Sequence, residues 1–196
     1  MEEINDILAL FDSREKWTAF IDLSNKRDAL VNELHTRLTT ELEKIANERL
    51  NDSGWNFCAD RNGDGQIYMY PKEISQISIM IETRSWEIEW YRRCASIYVY
   101  EPCVKNIDVF NRIKECIPEL PMAGFQDNKH NSPYHLFVKQ IPATVFNVES
   151  HVKSYDECLY MAADNAQQLA KNIWEEVFQP FANKDLAERM AGFIIP

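Results

Sequence analysis

Between Trp55 and Tyr100 the chain alternates apolar and polar positions five times. Trp55, Phe57 and Ala59 alternate with Asn56, Cys58 and Asp60, and Ile67 and Met69 with Gln66, Tyr68 and Tyr70. Ile77, Ile79 and Ile81 alternate with Ser78, Met80 and Glu82. Trp86, Ile88 and Trp90 follow, then Ile97 and Val99. Successive side chains of a strand point to opposite faces, so a period of two marks strands with one face buried. The pattern predicts a five-strand antiparallel meander. Its second face carries Tyr68, Tyr70, Tyr98 and Tyr100 among polar neighbours.

The flanks follow a different period. Ile4, Ile7, Leu8 and Phe11 predict a first helix, and Asp12 with Glu15 predicts a cap for a short second one carrying Trp17, Phe20 and Ile21. Ser24 reads as the cap of a longer helix with Leu30, Val31, Leu34, Leu38, Leu42, Ile45 and Ala46 on one face. That stripe is wider than a coiled-coil seam, so covering the sheet is its expected use. Asn51-Asp52-Ser53-Gly54 stops the helix. After the meander, Asn106 caps a helix with Ile107, Phe110, Ile113 and Ile117 inward. Residues 118–133 read as a long irregular loop, Tyr134 to Ile141 as a sixth strand and Val145 to Val148 as a short extended piece. Ser154 and Glu157 form a capping box for a long helix, and Asn183 opens a last short one.

These elements predict an α+β fold: N-terminal helices, a central antiparallel meander of five to six strands, and a long C-terminal helix packed on the sheet. The length of 196 residues fits a single α+β domain over 1–196. Residues 1–53 form its helical part, 54–101 the meander and 102–196 the remaining helices, loop and strand.

Charge narrows the partners. The net charge is −10, spread along the chain and not held in a tail. Direct nucleic-acid binding needs a basic patch, so it is not expected. The five cysteines are odd in number and widely spaced, without a Cys-x-x-Cys. That argues against a disulfide framework or zinc ribbon and fits reduced thiols in a cytoplasmic protein. The acidic start Met-Glu-Glu-Ile-Asn-Asp lacks the basic region of a signal peptide, and no apolar run is long enough to cross a membrane.

One short stretch carries ligand-like spacing. Asp60, Asn62 and Asp64 are followed by Gly65 and Ile67, as at the start of a calcium loop. Over about eight residues this resembles the first half of an EF-hand or dockerin-type loop. The twelfth position should be a bidentate carboxylate and is Pro71, and both flanks read as strands. A hairpin closed by Asn62-Gly63 and Asp64-Gly65 explains the stretch more simply. Asp60, Asn62 and Asp64 are retained as candidate ligands of a weakly held calcium ion, and no other cofactor is called for.

Other chemistry is thinner. His35 flanks the helical stripe without a second ligand three or four residues away. Asp127-x-Lys129, the one Asp-x-Lys, falls in the loop and not on a strand as a metal-dependent nuclease requires. Cys58, Cys94 or Cys103 would need to meet His135 or His151 in space to act as a nucleophile. Glu87 and Glu89 share a strand face, which solvation explains without acid–base work. Tyrosine suits protein interfaces, because it buries area and keeps a polar tip. The expected contact residues are therefore Tyr68, Tyr70, Tyr98 and Tyr100, with Phe125 from the loop.

The reading that results is a non-enzymatic cytoplasmic interaction or regulatory domain that binds a protein partner or forms a homo-oligomer. A metal-assisted hydrolase or nuclease is the alternative class. An acidic inhibitor that occupies a basic nucleic-acid-binding partner is the third.

Overall fold

The computed structural model describes residues 10–59, 65–82, 94–99, 107–128, 134–146 and 154–192. Among the described residues four α-helices accompany one six-stranded antiparallel sheet. The first helix, α1 (Arg14–Arg49), runs 36 residues. Neither Gly nor Pro occurs between Ser13 and Leu50, so nothing in the backbone chemistry interrupts it. Ser13 is its N-cap and accepts from the Lys16 amide at 3.2 Å. The expected caps at Asp12 and Ser24 are therefore corrected. Asp12 instead pairs with Lys16 at 2.8 Å, and Ser24 lies inside the helix. The stop falls where expected: Leu50 caps the helix, Ser53 Oγ donates to the Leu50 carbonyl at 2.8 Å, and Gly54 turns with φ 79°. A Cβ at Gly54 would lie 3.0 Å from Ala187, so this turn needs glycine for space as well as for φ.

The strands are β1 (Trp55–Ala59), β2 (Gln66–Pro71), β3 (Ile77–Glu82) and β4 (Cys94–Val99), then β5 (Gln126–Asp127) and β6 (His135–Gln140). Their order across the sheet is β1-β2-β3-β4-β6-β5. Ala59 pairs with Ile67, so the chain between β1 and β2 closes a hairpin. Ile79 faces Met69 on one side and Ile97 on the other. Because β3 and β4 are direct antiparallel neighbours, no strand lies between them. The strand expected at Trp86–Trp90 lies outside the described residues. Among the described residues β1 to β4 form the meander, and β6 and β5 complete the sheet.

One apolar cluster fills one face of the sheet. Ile67, Met69, Ile77, Ile79, Ile81, Ala95, Ile97 and Val99 meet Leu34, Leu38, Leu42 and Ala46 of α1 within it. Helix α2 (Ile107–Cys116) adds Phe110, stacked on Phe137 with centroids 4.7 Å apart, and Ile113. Helix α3 (Ser154–Ile173) adds Ala162, Leu169, Ala170 and Ile173 and packs along α1. Asn165 breaks α3 with φ −149° and recaps it by accepting from the Gln168 amide. A wide turn at Trp174–Phe178 and a tight one at Gln179–Phe181 lead into α4 (Lys184–Ala191), capped by Asn183 as expected.

Two further expectations are corrected. Residues 118–124 are not irregular but a run of turns, in which the Ala123 amide bonds the Glu119 carbonyl and Phe125 bonds Leu120. β5 follows at once and pairs with β6. Ala143–Phe146 is a tight helical turn, not extended, with Val145 and Phe146 buried.

Candidate functional site

The feature that stands apart from the core is the N-terminal half of α1. From Arg14 to Leu30 every residue is exposed. That is a helical arm about 25 Å long at 1.5 Å per residue. Its polar positions are what solvent requires, but its apolar ones are not. Leu10, Leu23 and Leu30 are 66, 64 and 52 % exposed, and Trp17, Phe20 and Ile21 are each about 40–50 % exposed. At 100° per residue, Trp17, Phe20, Leu23, Leu30 and Val31 continue the face that buries Leu34, Leu38 and Leu42 further along. One apolar stripe is thus covered over its second half and open over its first.

The tip of the arm is prearranged. Phe11 folds back so that its ring lies edge-on to Trp17 at 5.6 Å and against Phe20 at 4.8 Å. Trp17 and Phe20 are 5.7 Å apart. Such triads hold aromatic side chains in fixed rotamers at little entropic cost. Below the arm, α1 and α3 enclose an open groove of about 410 Å³, lined by Glu33, Thr36, Arg37, Thr40, Ala162 and Ala166. Arg37 is paired on the α1 wall with Glu33, one turn back on the same helix, at 3.1 Å.

The tyrosine face is less open than the arm. Tyr68, Tyr70 and Tyr98 lie on the sheet side opposite the main cluster and are half-buried. Between them Ser78, Met80 and Ser96 are buried. Tyr68 donates to Gln66 Oε1 at 2.6 Å. Tyr98 stacks on Tyr134 at 6.2 Å and meets the edge of His135 at 5.2 Å. His135 Nδ1 lies 3.0 Å from Ser96 Oγ. Burial pushes this imidazole below its ordinary pKa, while the Glu82 carboxylate pulls weakly the other way. The folded chain therefore resists a protonation that the unfolded chain accepts near pH 6.5. Stability is expected to be full above that pH and to fall as pH drops toward the lower folded value. Melting temperature followed from pH 7.5 to 5 should decline, and His135→Gln should flatten the upper part of that decline.

The remaining candidates separate. Phe125 is buried, edge-on to Phe181 at 5.5 Å, so it is a core residue and offers no contact surface. Tyr100, Asp60, Asn62 and Asp64 lie outside the described residues, as do Glu87, Glu89, Cys103, Lys129 and His151. Cys94 pairs with Gln140 and His135 with Tyr98, so this thiol and this imidazole sit at opposite ends of the β4–β6 pair. Cys58 is on β1, three strands from β4. Cys116 is held instead by Arg189: its Sγ donates to the Arg189 carbonyl at 3.1 Å, and burial raises its pKa. Among the described residues no three His, Cys, Asp or Glu come together as a metal site.

The arm itself was hidden by dividing its sequence at Asp12 and Ser24. The signal that would have found it is the unbroken stretch without Gly or Pro, longer than a single-layer helix needs. No described helix is long and apolar enough to cross a membrane. No family model matches the chain, and no significant match occurs among curated proteins or solved structures.

Proposed function

We propose that this chain is a non-enzymatic protein-interaction or regulatory domain whose main contact surface is the arm of α1. The observation that carries the reading is the open half of the apolar stripe, from Trp17 to Leu30. An unsupported helix of this length is marginal in water, and its stability normally comes from packing an amphipathic face. Contiguous exposed apolar surface on a water-soluble chain marks an interaction site. Trp and Tyr dominate binding energy where they are well packed, which places weight on Trp17. The half-exposed rings of Tyr68, Tyr70 and Tyr98 offer a second contact area. A cytoplasmic setting agrees with the odd number and wide spacing of the five cysteines.

Affinity purification of the tagged full chain from its native host tests this reading. The expected result is a retained protein at near-equal amount, either an untagged copy of the chain or another protein. Leu23→Glu with Leu30→Glu should lose it, because both residues are exposed and their replacement leaves the core intact. An empty eluate, or one indifferent to the two substitutions, overturns the proposal.

A further inference from the structure

We infer that the occupant of the arm is the arm of a second copy, packed antiparallel about Ser24; this rests on the interaction reading above and names its partner. Area is the first argument. The open parts of Leu10, Trp17, Phe20, Ile21, Leu23 and Leu30 amount to roughly 600 Å². Two copies then bury about 1,200 Å², the lower bound of a stable specific interface.

Charge is the second. The chain carries −10 overall, so two copies repel through their bodies. The arm does not share in this. Arg14, Lys16, Lys26 and Arg27 balance Asp12, Glu15, Asp22 and Asp28, leaving residues 10–30, the arm with its tip, neutral. The arm can therefore approach its own image without a net like-charge penalty. A parallel pair would bring the two acidic bodies side by side. An antiparallel pair sets them at opposite ends of the joined arms, beyond the screening length of about 8–10 Å at physiological salt.

The third argument is self-complementarity. A twofold contact must match each residue to one equally far on the other side of the axis. Trp17 and Val31 lie equally far from Ser24 along the helix, so the aromatic end of one arm covers the aliphatic end of the other, Leu30 and Val31. Phe20 and Ile21 come opposite Asp28 and Arg27, an ion-paired couple at 3.6 Å whose Arg27 stem offers apolar cover. Leu23 lies beside the axis and meets its own mate.

Sedimentation equilibrium of the purified full chain decides the matter. The expected mass is twice the 23.0 kDa of the chain. Leu23→Glu with Leu30→Glu should weaken dimerisation by at least about tenfold, since two charges enter a desolvated contact. Far-UV circular dichroism keeps loss of pairing distinct from loss of fold. A short bis-maleimide should join Ser24→Cys chains to each other but not Trp17→Cys chains, above the background of the native thiols. Joining at both positions means parallel arms and overturns the geometry. A monomer at high concentration, or a dimer untouched by the paired glutamates, overturns the self-pairing. If the monomer still retains a different protein through the arm in the host purification, only the identity of the partner has failed.

Discussion

Replacing Trp55 with alanine is expected to cost about 3–5 kcal/mol of stability, the usual range for truncating a buried aromatic. Trp55 opens β1 and is 2 % exposed. Its indole N–H donates to the Asn183 carbonyl at 2.9 Å. Asn183 is the cap of α4, so one side chain fastens the edge of the sheet to the start of the last helix. Alanine leaves a cavity and removes one of two donors to that carbonyl, which keeps the Ala187 amide at 3.2 Å. Phenylalanine separates the two effects: it keeps most of the apolar bulk, loses the donor, and should cost about 1–3 kcal/mol. Urea denaturation with unchanged slope is the measurement. Equal losses for the two variants would refute the division.

Lys139 carries the second large effect. It sits on β6 opposite Ala95, on the core side of the sheet, where a lysine is out of place. Its Nζ escapes by reaching the wide turn after α3. There it bonds the Glu176 carbonyl at 2.9 Å and the Glu176 carboxylate at 2.5 Å. Gly124, with φ 84°, lies against the lysine methylenes. Lys139→Met keeps the stem and removes the charge, leaving the carbonyl of the turn without its donor. The expected cost is about 1–3 kcal/mol, held below that of a fully buried pair because Glu176 remains partly in solvent. Glu176→Gln should cost less, since the lysine retains the backbone acceptor. A double-mutant cycle in urea checks the coupling, and strictly additive losses would contradict it.

Both residues show where sequence reading succeeds and where it stops. The alternation of Ile67 and Met69, of Ile77, Ile79 and Ile81, and of Ile97 and Val99 was legible because a half-buried strand forces it. The cap at Asn183 was legible for a local reason, an oxygen ready for an orphan amide. Caps at Asp12 and Ser24 failed on that same local logic. Either side chain can cap, but a helix starts only once, and Ser13 already provides the start. The strand expected at Trp86–Trp90 lies outside the described residues, and alternation there records burial, not adjacency. The pairing of β3 with β4 is decided by the whole sheet. Phe125 was placed in a loop because Pro118, Pro121 and Gly124 surround it. Turn bonds from Ala123 and Phe125 fold that loop inward, and no periodicity announces it. The arm was half legible: its apolar residues were visible, but the absence of a cover belongs to tertiary structure alone.

The pairing of α1 with α3 also governs how the chain reaches this state. These helices come from opposite ends of the described sequence, so Leu34, Leu38 and Leu42 leave the ribosome long before Leu169 and Ile173 exist to meet them. At ordinary rates of synthesis the interval is on the order of ten seconds. During it the part of α1 that α3 will cover stays open along with the first half. A nascent chain in this condition is sticky, and neighbouring chains on one messenger are the nearest bearers of a matching stripe. Arms that meet there would do so before their bodies are complete, and assembly would then be a step of synthesis instead of a later encounter between finished molecules.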